Sequence, residues 1–432
     1  MMRSNARKRK TVSLAWPSLR FFTRWVEPEL FRPYLFFSLF AITCSEFVRG
    51  SLTLSILPTY GRTVLGFAVE WTGIALSIHY LVDNLLRIPV GWVIDKMGSR
   101  YVLIGGFCIG IISMFWMMNV HHIWSLIASM ALFGVAATPM WPSAISAISK
   151  STPEEKRAAF MGYLYIFWLT GTGLGPVIIN FLWSATYHLA FVVLLCLLSL
   201  GLILVFLFVR IPANMMRQTA DFRKGDQHPS VHKLRMNKGD LQSLLQNLRG
   251  VVFLLPGMFV QTFAVSCLVP ILSLYAKVIL HLTGPMYSLL LTCFGALTII
   301  GLIPAGKLVV RYGSRRFLII GFLFGGAALG LYPFFKSLLT TYIVVGLFGI
   351  TYAFILPAWN SILDRSIDAD KKATLWGVFM TVDGLGSAAG AFSGGFVWDA
   401  ISPEAPFFLA GIIILGMGVL YGLIPLERRR IT

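Results

Sequence analysis

The chain has 432 residues, of which 57% are hydrophobic and 12% charged, and its mean hydropathy is +0.77. Charged residues at about half the usual share cannot cover so much apolar surface, so a water-soluble globular protein is excluded and lipid is the solvent for most of the chain. The net charge of +18 would suit a nucleic-acid partner, but the basic residues sit in RSNARKRK at the start, FRKGDQHPSVHKLRMNKGD in the middle and ERRRIT at the end. Basic clusters of this kind flank membrane segments on the cytoplasmic side and are drawn to anionic lipid, which points away from nucleic acid.

Apolar stretches long enough to cross a bilayer as helix recur along the sequence. Helices are expected because they satisfy their own backbone hydrogen bonds in lipid. Twelve spans are predicted, at 34–58, 70–93, 101–120, 123–149, 158–183, 187–209, 250–279, 285–309, 316–335, 338–363, 373–398 and 406–425. The first run follows basic residues, but it is too long and too charged for a signal peptide and no small-residue cleavage site follows it, so it reads as a mature helix.

That first span carries Glu46 and Arg49, three residues apart and so on one helix face. The second carries His79, Asp83 and Arg87 at intervals of four, a second polar stripe. Glu46 and Asp83 fall near mid-membrane. A charge facing lipid there costs about 2.5–3.5 kcal/mol on insertion scales, so these groups should face an interior cavity or each other. Ion pairs that merely fasten helices are the structural alternative; a polar cavity that binds substrate and moves protons is the functional one. Trp141 in the fourth span and Trp168 in the fifth extend the polar side, since tryptophan stacks on sugar rings and donates one hydrogen bond. Trp359 and Asn360 of LPAWNS in the tenth span are weaker candidates. The five cysteines (Cys44, Cys108, Cys196, Cys267, Cys293) fall in apolar segments with neither disulfide nor metal spacing.

Alternate loops, DKMGSR, KSTPEEKR, VRYGSRR and DRSIDADKK, are rich in Lys and Arg, whereas the intervening loops hold little beyond Arg62, Lys277 and Lys336. The positive-inside rule then places both termini and the central linker in the cytoplasm. The chain also repeats itself at a separation of 215 residues. RIPVGWVIDKMGSRYVLIGGF (87–107) aligns with LIPAGKLVVRYGSRRFLIIGF (302–322), and LFGVAATPMWP (132–142) with LFGITYAFILP (347–357). The expected layout is a basic tail (1–33), a six-helix half (34–209), a basic linker (210–249), a second six-helix half (250–425) and a short basic tail (426–432). The same separation pairs Glu46 with Gln261, Arg49 with Ala264, Asp83 with Thr298 and Arg87 with Leu302. At these four positions the charges belong to the first half alone, and a cavity polar on one side and apolar on the other suits an amphipathic substrate.

Two parallel six-helix repeats joined by a cytoplasmic linker resemble the major facilitator superfamily. The loop after the second span strengthens the resemblance: Gly91, Asp95, Lys96, Gly98 and Arg100 of GWVIDKMGSR match that superfamily's loop signature. The copy in the second half keeps Gly306, Arg311, Gly313 and Arg315 but has Val310 where the acid would be. Asp95 and Arg100 are expected to make ion pairs that hold one conformation. The implied fold class is an all-α integral membrane protein with twelve transmembrane helices in the major facilitator fold.

SEFVRGSLTLSILP, SIHYLVDN, ATPMWPSAIS, EEKRAAFMGYLYIFWL and LLPGMFVQTFAVSCLVPIL are, more specifically, similar to the lipoteichoic-acid glycolipid flippases of Gram-positive bacteria. That resemblance implies a proton-coupled exporter moving a diglucosyl-diacylglycerol anchor from the inner to the outer leaflet of the plasma membrane, with headgroup residues at Glu46, Arg49, Asp83, Trp141 and Trp168 and His79 in the same matched segment. Glu46 or Asp83 would take the proton, and the proton gradient would be the only energy source, with no cofactor. A monomer is expected. Two departures stand out: the linker is longer and more basic, and Asp383 in TVDGLGSAAG, the repeat partner of Trp168, is a carboxylate where a member of that family has an uncharged amide. GTGLGP (171–176) partly resembles the glycine-proline motif of the superfamily's antiporters.

Two rivals stand beside this reading. Efflux of drug-like amphipathic cations would also use acids and aromatics, though Arg49 and Arg87 oppose a cationic ligand. A membrane enzyme acting on lipid would need clustered loop carboxylates with metal-ligand spacing, a nucleophile constellation or a phosphate-binding loop, and the sequence shows none of these.

Overall fold

Each apolar run becomes one long helix. The computed structural model describes residues 27–152, 156–183, 186–209, 254–335, 337–366 and 372–423. The linker 210–249 and the two tails expected from the sequence lie outside these, apart from residues 27–33. The described residues form α1 (Pro33–Val64), α2 (Val69–Met97), α3 (Ser99–Met118), α4 (Ile123–Ser149), α5 (Arg157–Trp183) and α6 (Tyr187–Phe208) in the first half. The second half comprises α7 (Leu255–Ile279), α8 (Gly284–Tyr312), α9 (Ser314–Leu331), α10 (Leu338–Ser366), α11 (Lys372–Ala400) and α12 (Ala405–Leu423).

Ten of these twelve helices are long and apolar enough to cross a membrane on length and composition alone. The other two are α2 and α11. The charges of Glu70, Asp83, Arg87, Asp95 and Lys96 interrupt α2, and glycine, serine and two aspartates dilute α11. Both run for 29 residues and pack among the other ten.

The repeat is visible in the backbone. α2 and α8 begin and end at positions 215 apart, and α3 and α9, and α5 and α11, begin at that separation. The turn from α2 to α3 pivots on Gly98 at φ 86°, and its counterpart from α8 to α9 on Gly313 at φ 96°. Only glycine takes these values without strain, which accounts for its place in both copies of the loop motif. α1 and α7 each finish in a π-helical turn, Tyr60–Val64 and Tyr275–Ile279, again 215 apart. α4 is broken at Thr138–Pro139, where proline has no N–H to give the preceding turn.

Hydrogen bonds mark the two ends of the bundle. At one end Arg32, before α1, reaches the Ser151 carbonyl at the end of α4 (3.2 Å), and Arg100 at the start of α3 reaches the Phe206 carbonyl at the end of α6 (2.8 Å). Arg315 does the same in the second half, donating to the carbonyls of Tyr421 (3.1 Å) and Gly422 (3.0 Å) at the end of α12. Both arginines thus satisfy carbonyls that a helix C-terminus leaves without a partner. Asp95 is exposed, and among the described residues no ion pair joins it to Arg100. Gly91 has open space around it.

The opposite end joins the halves. Ser273 of α7 donates to the Ser55 carbonyl of α1 (3.1 Å), Tyr287 of α8 to the Leu54 carbonyl (2.9 Å), and Ser288 of α8 to the Val177 carbonyl of α5 (2.7 Å). The Glu70 amide of α2 donates to the Asp399 carboxylate of α11 (2.7 Å). Each half has its own apolar core, centred on Leu35, Leu39, Phe107 and Phe133 in the first and on Tyr275, Phe322, Phe407 and Ile414 in the second. Large apolar side chains such as Ile112, Phe115, Ile203, Phe324, Ile343 and Val419 are exposed, as lipid-facing groups must be. The five cysteines are free.

Candidate functional site

The charges of the first half meet in one chain. Glu46 lies in the middle of α1, and its Oε2 accepts hydrogen bonds from Arg49 Nε (2.9 Å) and Nη2 (2.6 Å), one helical turn on. Asp83 lies in the middle of α2, and its Oδ2 accepts from Arg87 Nη2 (3.0 Å), again one turn on. Arg49 Nη1 stands 4.0 Å from the same Asp83 oxygen and so links the two helices. The order is Glu46–Arg49–Asp83–Arg87, alternating in sign.

The close pairs are within a helix, so they do little to fasten helices together. Their effect is to neutralise charge where water is scarce. The two carboxylate side chains are 4% and 5% exposed, whereas Arg49 and Arg87 keep 19% and 25% of their surface open. The guanidinium groups, each with five donors in a fixed fork, therefore present unused donors to whatever enters. Both carboxylates expected from the sequence as proton carriers are engaged by arginine.

α5 supports this chain from the side. Thr172 Oγ1 donates to Glu46 Oε2 (3.2 Å). Thr172 belongs to GTGLGP, and Gly171 beside it lets α5 lie against the α1 backbone: a Cβ at Gly171 would meet the Thr43 carbonyl oxygen at 2.5 Å and Glu46 Cβ at 3.0 Å. The glycines of this motif thus set the distance at which Glu46 is held, and Thr172 is a site contact that the motif reading passed over.

Trp141 of α4 and Trp168 of α5 do come together, edge to face with ring centroids 5.8 Å apart. Tyr165, not expected from the sequence, completes the aromatic group at 5.8 Å from Trp141 and 6.3 Å from Trp168. Trp168 Nε1 is buried with no hydrogen-bond acceptor among the described residues, a donor in want of a partner. His79 is placed differently. It is fully buried, its ring stacks on Phe133 of α4 at 5.4 Å, and it makes no hydrogen bond to Asp83 among the described residues. The interval of four that suggested one stripe holds along the helix, but the ring turns into the α2–α4 contact.

The second half answers with mostly neutral groups. Gln261 of α7, the repeat partner of Glu46, keeps its side-chain oxygen buried without a donor among the described residues. Ala264 is buried, and Thr298 gives its hydroxyl to the carbonyls of Phe294 (2.8 Å) and Gly349 (3.0 Å). Asp383 of α11 is half-buried, with Tyr352 of α10 and Arg87 of α2 as its electrostatic neighbours. Trp359 is buried among apolar residues of the second core. The side chain of Asn360 lies outside the described residues. Among the described residues, no group of three or more His, Cys, Asp or Glu side chains could hold a metal ion.

Two halves of six helices, repeated in parallel and enclosing mid-helix charges, are the architecture of a secondary transporter. The sequence pattern of the Major Facilitator Superfamily matches residues 21–252 and 254–431. The chain belongs to the Major Facilitator Superfamily. It is thus a multi-pass membrane transporter and not an enzyme. Among curated relatives, the proton-coupled antiporter flippase LtaA of Staphylococcus saprophyticus is 28% identical over 390 residues, 88% of this chain and 91% of that protein. The LtaA protein of Staphylococcus aureus strain N315 is 27% identical over 387 residues, 87% of this chain and 91% of that protein. Among solved structures, a bacterial homolog of the human lysosomal transporter Spinster, in an inward-facing and occupied conformation, superposes with a TM-score of 0.72. It is 14% identical, and the match covers 91% of this chain and 97% of that one. The nucleoside transporter NupG gives 0.69 at 15% identity, over 90% of this chain and 97% of its own. These two likenesses concern the fold.

Proposed function

We propose that this transporter is a proton-coupled antiporter that moves a lipid with a sugar headgroup, such as diglucosyl-diacylglycerol, from the inner to the outer leaflet of the cell membrane. The observation that carries this reading is the chain Glu46–Arg49–Asp83–Arg87, confined to one half, whose repeat-related positions in the other half are the neutral Gln261, Ala264, Thr298 and Leu302. A headgroup rich in hydroxyls finds arginine donors, carboxylate acceptors and the Trp141–Trp168 pair on the first side, while acyl chains find a more apolar wall on the second. The names of the curated relatives support the same substrate class and the same coupling.

The basic end of the bundle, where Arg32, Arg100 and Arg315 cap helix ends, faces the cytoplasm in this reading. The halves are joined by hydrogen bonds at the opposite end, which supports a carrier open to the inner leaflet. Alternating access then rocks the halves about the mid-helix charges. The protein acts as a monomer, since one chain contains both halves. Efflux of a lipophilic cation is the rival, and the open guanidinium groups of Arg49 and Arg87 repel such a ligand.

A leaflet assay in proteoliposomes separates the two. Labelled diglucosyl-diacylglycerol is expected to change leaflet faster under a proton gradient, and Glu46→Gln is expected to slow that flux by about tenfold or more, equivalent to about 1.4 kcal/mol. A lipophilic cation is expected to show no gradient-dependent movement. Gradient-driven movement of the cation without movement of the glycolipid would replace this reading with small-molecule efflux.

A further inference from the structure

Asp383 is a mid-helix carboxylate outside the charge chain of the first half. It lies in α11, at the level of Trp168 in the repeat, on the half whose other site positions are neutral. α2 and α11 meet across the two halves at this level: the Asn84 side chain lies directly against Gly384. Arg87, one turn from Asp83 and three residues from Asn84, is the cation that faces Asp383 from α2, and Tyr352 is the titratable group that faces it from α10. From α7 the nearest of these polar groups, Gln261 beside Tyr352, is uncharged.

The count of charges is uneven. Glu46, Asp83 and Asp383 are three carboxylates, and Arg49 and Arg87 are two cations. Glu46 and Asp83 each hold an arginine at 3.0 Å or less. Asp383 has no hydrogen bond or ion pair among the described residues. An ionised carboxylate without a partner in a water-poor interior is costly, and it is relieved either by binding a proton or by taking a cation from elsewhere. Arg87, three residues from the Asn84 that lies against Gly384, is the cation on the facing segment of α2. It has unused donors, and if it left Asp83, that carboxylate would keep Arg49 Nη1, now 4.0 Å away.

We propose that Asp383 is the proton-binding carboxylate of the transport cycle, and that on losing its proton it competes with Asp83 for Arg87 across the α2–α11 contact. The assignment rests on the proton-coupled reading given above. With the proton on Asp383, Arg87 stays with Asp83 inside the first half, as in this structure, and the halves are free to part at the basic end. When the proton leaves the Asp383 carboxyl for water on that side, the carboxylate draws Arg87 over. The new ion pair joins the halves and closes the basic end. The sense is that of an antiporter: the protonated carrier opens inward, and the deprotonated carrier, loaded with substrate, opens outward. The step forms one ion pair and gives up another, and the net change is one proton released.

The test needs no substrate. Met97 and Tyr312 are repeat partners at the basic ends of α2 and α8, and both are exposed. Spin labels on Met97→Cys and Tyr312→Cys in the purified full-length protein, with Cys108, Cys196 and Cys293 replaced by serine, report the separation of the halves across the mildly acidic to mildly basic range. The wild type is expected to gain a short-distance population as pH rises, along a curve for one proton. Asp383→Asn is expected to stay at the long distance at every pH, and Asp383→Glu to restore a titration with a displaced midpoint, which separates a proton site from a merely structural residue. A wild type that does not titrate, or an Asp383→Asn variant that titrates like the wild type, overturns the proposal. Failure of the glycolipid reading looks different: the distances titrate through Asp383 while diglucosyl-diacylglycerol stays in its leaflet. Conversely, glycolipid flux fully driven by the gradient in Asp383→Asn leaves that reading standing and removes this one.

Discussion

Asp83→Asn is expected to abolish gradient-driven transport in a protein that still folds. One oxygen of Asp83 serves two arginines, Arg87 at 3.0 Å and Arg49 at 4.0 Å, so the residue is the junction of the charge chain. An amide of the same shape carries no charge, and Glu46 would then be the single first-half carboxylate facing two arginines. Breaking a fully buried pair by removing one partner costs about 3–5 kcal/mol. The cost is smaller here because Arg87 is a quarter exposed and water screens it. The larger effect is on the cycle. Arg87, released from Asp83, has no carboxylate to return to when Asp383 is protonated, so the exchange of Arg87 between the two acids is lost. Flux under a proton gradient should fall below about a tenth of the wild-type rate. Asp383→Asn should differ in kind: the basic end stays open at every pH, and gradient-driven flux is lost while the charge chain of the first half is intact. Unchanged coupling in Asp83→Asn would remove Asp83 from the mechanism.

A large effect on stability is expected at Gly171. The first carbon of any side chain there would meet the Thr43 carbonyl oxygen at 2.5 Å and the Phe47 amide nitrogen at 3.0 Å. Both are backbone atoms and cannot swing aside, so α5 must move off α1. Overpacking of this kind costs about 1–3 kcal/mol, and a collision with backbone lies at the upper end. Gly171→Val should therefore lower the melting temperature in detergent by several degrees and separate Thr172 from Glu46, so that transport falls in whatever protein remains folded. Two residues on, Gly173 has open space around it, and Gly173→Ala should be neutral or slightly stabilising. Thermal melts of the two variants side by side check the pair. Equal melting temperatures would show that the α1–α5 contact does not depend on Gly171.

The twelve helices and their division into two repeats were legible because lipid imposes a length on each apolar run and because the two copies of the loop motif share one separation. α2 was legible as a span even with five charged residues, since its loop motif has a counterpart after α8. The finer features were hidden for identifiable reasons. The π-helical turns at Tyr60–Val64 and Tyr275–Ile279 leave no mark in a hydrophobic pattern, because YGRTV and YAKVI have the composition of an ordinary helix end. The break in α4 was signalled by Pro139 but could not be told from a kink.

The candidate site divides in the same way. Glu46 with Arg49 and Asp83 with Arg87 were readable, since spacings of three and four along a helix fix those pairs. What depends on neighbouring helices was not readable. His79 shares the spacing, yet its ring stacks on Phe133, a residue 54 positions on. Arg100 looked like a partner for Asp95, five residues away, and instead caps α6 through the Phe206 carbonyl, 106 positions along the chain. Thr172 lay inside a motif read as helix packing, and packing is what brings it to Glu46. Asp383 was noticed as a departure in charge, and its proximity to Arg87 appears only once α2 and α11 are placed together.

Coupling between lipid and proton is seen by following the proton itself. Full-length protein is reconstituted into vesicles with a pH-sensitive dye inside and no imposed gradient, and diglucosyl-diacylglycerol is supplied to one leaflet. The internal pH is expected to shift as the lipid crosses, with protons moving in the opposite direction, and Asp83→Asn is expected to show neither movement. Glycolipid that crosses at the wild-type rate while the internal pH stays constant would contradict that coupling.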